Sequence, residues 1–455
     1  MTDANGPHVD ETQALLEDHV DGDIDSGHPH DSTESGPWHQ RSFSFQNAAK
    51  VAVLQLFGIY VLLVFVPLGL VAGPCKWNSI LVSIFNFLAI IPLSAVVSDS
   101  SDKLADEFGD LFGALINATL GNAAELIVGV LAVIHNDPKF AQSMMLGSIL
   151  SDILFVLGCC FFSAAWRRPI LKLNTAVTDT LSSLMLITAV ALILPTALYS
   201  TFESAKPAGL DDQILAFSRG TAMVLLVLYF AYLYFELVSH KHLFDPQQPN
   251  GRASADYTNI IGVPTEPEIR RLMRQDTERD MEHEIELSDQ VHEEPISAST
   301  PGSVFTAAAT LVCSGGAIMA CAHLLLDSVN DTSKATGISR TFIATILLPI
   351  ASNAPECATV VTTSSSGRID FAVGVIVGSI LQIALFVTPI LVALGWVIHQ
   401  DMNLYFETFQ TVTLFFSVLL VNHLLQDKKY TYMHGAVLVG LYAAIALSFF
   451  LRDDI

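Results

Sequence analysis

The chain has 455 residues, of which 51% are hydrophobic and only 15% are charged, and its mean hydropathy is +0.50. Typical soluble domains carry about 25% charged residues, so this composition excludes an ordinary soluble protein. The formal net charge of −23 argues against a nucleic acid as partner, because phosphates would repel such a surface.

Residues 1–49 are polar and acidic, with ten Asp and Glu residues against one base, Arg41. No signal peptide is visible, so we expect the first apolar segment to act as an uncleaved anchor that leaves this tail in the cytosol. We interpret 1–49 as a disordered acidic cytosolic tail.

Eleven apolar segments follow, each long enough to cross a hydrocarbon core of ~30 Å as a helix. Such segments predict helices rather than a barrel, because backbone polar groups in lipid must be satisfied internally. The predicted spans are approximately 51–72, 77–97, 111–134, 143–163, 176–198, 214–238, 304–326, 341–363, 371–396, 404–424 and 431–451.

Two parts of the chain repeat each other at an offset of 231 residues. GNAAELIVGV (121–130) matches SNAPECATVV (352–361), and LGSILSDILFVLG (146–158) matches VGSILQIALFVTP (377–389) at the same offset. The copies lie in spans three and four and in spans eight and nine. Because an odd number of spans separates them, the second copy enters the membrane from the opposite side. Inverted repeats with a shared site at the midplane are typical of secondary transporters.

We therefore predict an all-α polytopic membrane protein with 11 transmembrane helices, ten of them forming two inverted five-helix repeats. The predicted divisions after the tail are a first transmembrane helix (50–72), a first repeat (77–238), a cytosolic loop with an acidic helix (239–302) and a second repeat (303–451). The acidic helix is predicted within 265–294, where Thr265 and Glu268 have the spacing of a capping box.

Polar residues from four spans fall near the same depth, which predicts an intramembrane site. Intramembrane ionisable residues are costly and usually functional. Asp152 is supported less strongly than the two glutamates, because its repeat partner is Ile383. The candidate cation-binding residues are Glu125, Glu356, Asn122, Asn353, Ser148, Ser379, Gln382 and Asp152.

Buried carboxylates can be neutralised by protons or by a shared divalent cation, since desolvation and mutual repulsion disfavour the charged form. The surrounding oxygen donors favour Ca²⁺, which takes six to eight oxygens at about 2.3–2.6 Å. Competition between Ca²⁺ and protons for the same oxygens would itself be exchange. Two alternatives stay open. The site could exchange Ca²⁺ against Na⁺, or a protonated glutamate could have only the structural role of a hydrogen bond between two helices.

Other functional classes fit less well. A cation channel would also place acidic residues in a pore, but channels usually gain their rings from oligomeric symmetry. An enzyme is not expected, because the spans show no paired Ser and His, no HExxH motif and no cluster of metal-ligating histidines. No catalytic residue and no resident cofactor are predicted.

With the motifs GNAAEL and SNAPEC, the chain resembles the cation/proton exchanger family of the calcium/cation antiporter superfamily, and is most similar to its fungal vacuolar Ca²⁺/H⁺ antiporters. The resemblance implies that Glu125 and Glu356 bind the ion and that the other candidates line the site. It implies Ca²⁺ transport into an acidic vacuole against protons, with Mn²⁺ as a minor substrate. The family's second motif usually reads GNAAEH, so Ser352, Pro355 and Cys357 are departures, and Asp152 stands where Asn is usual.

Basic residues predict the orientation through the positive-inside rule. Arg167, Arg168 and Lys172 share one short loop and Lys428 and Lys429 another, and both loops become cytosolic. This places the N-terminus in the cytosol and the C-terminus in the lumen of a multi-pass vacuolar membrane protein. Membrane lipid, Ca²⁺ and protons are the expected partners, and a homo-oligomer is left open.

Overall fold

A computed structural model of the chain describes residues 59–166, 171, 173, 175–202, 210–239, 301–426 and 430–452. The predicted tail (1–49), the first eight residues of the predicted first span, and the predicted acidic helix (265–294) lie outside these ranges. Within them the chain is helical and contains no strand, apart from an isolated antiparallel bridge between Leu171 and Tyr430. The all-α prediction is confirmed for the described residues.

Fifteen α-helices are numbered here in chain order, with π-helical turns at Ser151–Val156, Phe235–Ser239, Ile343–Leu347 and Ile383–Val387. They are α1 (Phe65–Ala72), α2 (Ser79–Leu120), α3 (Ala123–Ile134), α4 (Pro138–Leu150), α5 (Leu157–Ala165), α6 (Thr175–Phe202), α7 (Leu210–Tyr234), α8 (Pro301–Thr336), α9 (Arg340–Phe342), α10 (Leu348–Ser352), α11 (Ala354–Ser365), α12 (Ile369–Gln382), α13 (Thr388–Val397), α14 (Thr408–Gln426) and α15 (Tyr432–Phe450).

Eight helices of the described part are long and apolar enough to cross a membrane. A ninth candidate is formed by α9, α10 and α11 together, with a bend of 49° where α10 ends. Two shorter apolar helices, Ile59–Ala72 and Ala123–Ile134, fall within the predicted first and third spans. The central helices are those containing α4–α5 and α12–α13, whose apolar windows are 83% and 78% buried against 22–56% in the other candidate spans.

The predicted second and third spans are joined differently from expectation. Residues expected to form a loop between them, including Asp99 and Asp106, are helical and belong to α2. The chain nevertheless reverses within α2. The evidence is a hydrogen bond of 3.1 Å that Ser101 Oγ donates to Asn117 Oδ1. In a straight helix, residues 16 positions apart would be separated by about 24 Å.

The helix boundaries repeat at the offset found in the sequence (353 − 122 = 231). Helix α3 (Ala123–Ile134) corresponds residue for residue to α11 (Ala354–Ser365), and α4 corresponds to α12 within one residue. The π-helical turns Ser151–Val156 and Ile383–Val387 also correspond within one residue. Single π-turns inside α-helices are frequently associated with functional sites. The duplication therefore extends to local structure that hydropathy does not encode.

Candidate functional site

The two glutamates lie in the first turns of the two matching half-helices. Glu125 follows the break at Asn122, whose backbone leaves the helical region (φ −106°, ψ 37°), and Glu356 follows the break at Asn353. The N-terminus of a helix carries a partial positive charge that favours a carboxylate in the first turn. Pro355 contributes to the second break, because it lacks the N–H that would otherwise bond the carbonyl of Ala351.

Each asparagine at a break reaches across to the other half of the chain. Asn122 Oδ1 accepts from Ser379 Oγ at 3.1 Å, and Asn353 Oδ1 accepts from Ser148 Oγ at 3.4 Å. These two contacts are counterparts under the 231-residue offset. Asn122 Nδ2 also donates to Gln382 Oε1 at 3.0 Å. The two halves are thus joined by related polar contacts.

Asp152 belongs to the same network, although the repeat does not duplicate it. Its Oδ1 accepts from Asn353 Nδ2 at 2.6 Å, and its Oδ2 lies 3.1 Å from Ser379 Oγ. Ser379 Oγ is also 3.2 Å from Glu356 Oε2, so one hydroxyl stands among three acceptor oxygens. The third predicted carboxyl group therefore lies in the same cluster as the two glutamates.

The remaining glutamate contacts a residue that is not among the candidate cation-binding residues predicted from the sequence. The Glu125 carboxyl group interacts with the hydroxyls of Ser352 and Ser148. Ser352 precedes Asn353 in the second motif and replaces the family's usual glycine, which is the signal that could have identified it. Charge interactions also link Glu125 to both Asp152 and Glu356.

The cluster is buried, and two of its polar atoms have no hydrogen-bond partner. Asp152 and Ser148 have no exposed surface, and Glu125 is only 3% exposed, whereas Glu356 is partly exposed. Glu356 Oε1 and Gln382 Nε2 are buried atoms without a partner among the described residues. An unpaired buried polar group costs about 1–3 kcal/mol, so the acceptor Glu356 Oε1 favours a bound cation or water, and the donor Gln382 Nε2 favours water.

The chemistry of the donors suits a hard cation. Three carboxylates, two asparagine amides and several hydroxyls supply oxygen, and among the described residues no imidazole takes part in the hydrogen bonds of the cluster. Ca²⁺ prefers oxygen ligands in number, and charged carboxylates raise its affinity. The same carboxylates can take up protons instead. The structure thus brings together all eight predicted residues. Seven are joined by hydrogen bonds, and Glu125 is linked to them through Ser148 and through its charge interactions with the other two carboxyl groups.

These observations define a helical membrane protein with a buried carboxylate site between two similar halves. The model of the family described as "Sodium/calcium exchanger protein" matches residues 78–238 and 306–451. The chain belongs to this family of transporters.

Curated relatives and a solved structure resemble the chain over most of its length. A vacuolar calcium ion transporter of Schizosaccharomyces pombe is 36% identical, covering 90% of this chain and 89% of the relative. A Ca²⁺/H⁺ antiporter of Synechocystis is 32% identical, covering 87% and 97%. The structure of native YfkE has a TM-score of 0.66 at 23% identity, covering 87% of this chain and all of that one, which shows a shared fold.

Proposed function

We propose that this protein is a secondary active antiporter that moves Ca²⁺ from the cytosol into the vacuole in exchange for H⁺. The observation that carries the proposal is the pair of first-turn glutamates, Glu125 and Glu356, on matching broken helices that share one buried oxygen cluster. The relatives, a vacuolar calcium ion transporter and a Ca²⁺/H⁺ antiporter, support both ions and the compartment.

In the proposed arrangement, eleven spans cross the vacuolar membrane, with the first standing apart from two inverted repeats (77–238 and 303–451). The tail faces the cytosol and the C-terminus faces the lumen. The matching boundaries of α3 with α11 and of α4 with α12 support the repeat. Two halves of opposite orientation around one site allow two rocked states, each open to one side of the membrane.

Ca²⁺ is proposed to bind the carboxylates of Glu125 and Glu356, with Asp152 as a third acidic ligand. Oxygens from Asn122, Asn353, Ser148, Ser379 and Gln382 line the same cluster. A buried group of carboxylates without a counter-charge is unstable, because desolvation and like-charge repulsion add to one another. The protein therefore switches between its two states only when the site holds either Ca²⁺ or protons. This restriction couples the two fluxes.

A polar cavity of about 540 Å³ is the proposed lumenal approach to the site. Asp137, Arg340 and Glu407 are among its lining residues, and under the proposed orientation they lie on the lumenal side. Gln410 extends inward from this cavity, with Nε2 2.9 Å from Ser143 Oγ and 3.2 Å from Thr345 Oγ1. A polar lining supports passage of a hydrated cation better than an apolar one would.

The test is Ca²⁺ uptake into vesicles containing the purified protein, under an imposed pH gradient and then under a Na⁺ gradient. Uptake is expected with the pH gradient alone and is expected to be lost in Glu125→Gln and in Glu356→Gln. The control is Glu236→Gln, which should retain uptake because Glu236 lies outside the cluster, in the π-helical turn Phe235–Ser239 that follows α7. Uptake driven by Na⁺ would instead favour a Na⁺-coupled exchanger, and flux without counter-movement of protons would favour a channel.

A further inference from the structure

Two histidines and an aspartate that are distant in sequence meet away from the carboxylate cluster. His135 ends α3, and His323 and Asp327 lie one turn apart on α8. His135 Nε2 is 2.7 Å from His323 Nδ1 and 3.7 Å from Asp327 Oδ1. One ligand atom from each of the three residues lies within 4.8 Å of the others, and His135 falls just outside the predicted third span.

The orientation of His135 is already that of a metal ligand. Its Nδ1 lies 2.7 Å from the backbone carbonyl oxygen of Leu131 and is placed to donate to it. That donation leaves the lone pair of Nε2 pointing toward His323 and Asp327. Histidines that bind metals almost always donate their second ring nitrogen's proton to a carboxylate or a backbone carbonyl, which fixes the ring and its tautomer.

The geometry points to a binding site for a divalent transition-metal ion of the Zn²⁺ class, held by His135, His323 and Asp327. Two imidazoles and one carboxylate suit Zn²⁺, which binds His nitrogen at about 2.0–2.1 Å and carboxylate oxygen at about 2.0–2.2 Å. They suit Ca²⁺ poorly, because that ion prefers oxygen ligands only. The side chains of His323 and Asp327 are 52% and 55% exposed, so packing does not prevent them from adjusting around an ion.

Such an ion would join two helices that the exchange cycle needs to move. Helix α3 carries Glu125 near its N-terminus and His135 just beyond its C-terminus, about 15 Å along the axis. Helix α8 packs against α3 and belongs to the second half of the chain. Bound Zn²⁺ would therefore tie α3 to α8 and slow transport. This consequence rests on the proposed function, whereas the binding site itself does not.

Binding is tested first, on the purified full-length protein titrated with Zn²⁺. The chain has other histidines, including five in residues 1–49, so the measured quantity is the number of tight Zn²⁺ sites relative to the unsubstituted protein. His135→Gln and His323→Gln should each remove one tight site and the associated rise in melting temperature. His423→Gln, an exposed histidine on α14, is the matched control and should remove none.

The result that overturns the proposal is an unchanged count of tight sites in both His135→Gln and His323→Gln. Asp327→Asn, at an exposed position, provides a further variant that should fold normally and weaken Zn²⁺ binding by at least tenfold. In vesicles, Zn²⁺ at the lumenal side should slow Ca²⁺ uptake in the unsubstituted protein but not in His323→Gln. Tight binding without slowed uptake would refute the coupling, and absence of any uptake would refute the proposed function while leaving the binding result intact.

Discussion

Asn353 Nδ2 donates a hydrogen bond of 2.6 Å to Asp152 Oδ1, so the residue that breaks one half-helix is fixed by a carboxyl group from the other half of the chain. The repeat gives no counterpart to this contact, because Ile383 occupies the position equivalent to Asp152. The cluster is therefore asymmetric in charge. The first half contributes two carboxyl groups and the second half contributes one.

The first prediction concerns that extra charge. In Asp152→Asn the side chain keeps its shape, and its amide oxygen can still accept from Asn353, so we expect transport to persist. Loss of a charge-assisted hydrogen bond and of one anionic ligand is worth about 1.5–3 kcal/mol, and we therefore expect the half-saturating Ca²⁺ concentration to rise by about tenfold or more. The measurement is initial uptake rate against free Ca²⁺. An unchanged half-saturating concentration would show that Asp152 does not contact the ion.

The sequence predicted which polar residues lie together better than it predicted the connections around them. Glu125 and Glu356 could be found because both copies of the motif place an acid inside an apolar run, where its cost demands an explanation. Asp152 had no such support, and only the packing of its π-helical turn beside Asn353 brings it into the network. Ser352 was missed because a small polar residue in a span has many ordinary structural roles.

The fold shows the same limits. Apolar run length predicted the helices, since burying backbone polar groups in lipid leaves few alternatives. It predicted a reversal between the second and third spans, but not that the residues of this connection are helical and belong to α2. The meeting of His135 and His323, 188 residues apart, has no local signal at all. The count of eleven spans stays a prediction, because part of the first lies outside the described residues.

A second prediction follows from competition for the same oxygens. Ligands must be deprotonated to bind a metal, so Ca²⁺ affinity should increase as pH rises. With the pH gradient held constant, raising the pH of both compartments by one unit should lower the half-saturating Ca²⁺ concentration by up to about tenfold for each proton displaced. The maximal rate should change much less. A change confined to the maximal rate would indicate separate sites for Ca²⁺ and protons.

The third prediction separates two roles of Asp137 at the start of α4. Its Oδ1 accepts from the backbone N–H of Phe140 at 3.2 Å, which caps the helix, and its other oxygen forms an ion pair with Arg340. Asp137→Asn keeps the cap and removes the charge, whereas Asp137→Ala removes both. An N-cap is worth about 1 kcal/mol, so the alanine variant should be less stable than the asparagine variant by roughly that amount. Thermal unfolding in detergent measures the difference, and equal melting temperatures would argue against the cap.

The fourth prediction uses two glycines that are equivalent in the repeat. A Cβ atom added at Gly147 would lie 2.2 Å from the backbone carbonyl oxygen of Thr345, whereas one added at Gly378 would meet only the Tyr232 hydroxyl, at 3.8 Å. Backbone cannot rotate away as a side chain can, so Gly147→Ala must separate α4 from the π-helical turn Ile343–Leu347. Overpacking of this kind costs about 1–3 kcal/mol, and we expect lower thermal stability and reduced uptake.

Gly378→Ala is the matched control for this experiment, since it adds the same methyl group at the same position of the other copy. It should fold normally and retain uptake, because 3.8 Å is an ordinary van der Waals contact. Comparable losses in both variants would show that the effect arises from helix motion during transport, not from the close approach of Gly147 to Thr345. A loss restricted to Gly147→Ala would establish that the two halves of the chain pack asymmetrically beside a symmetric motif.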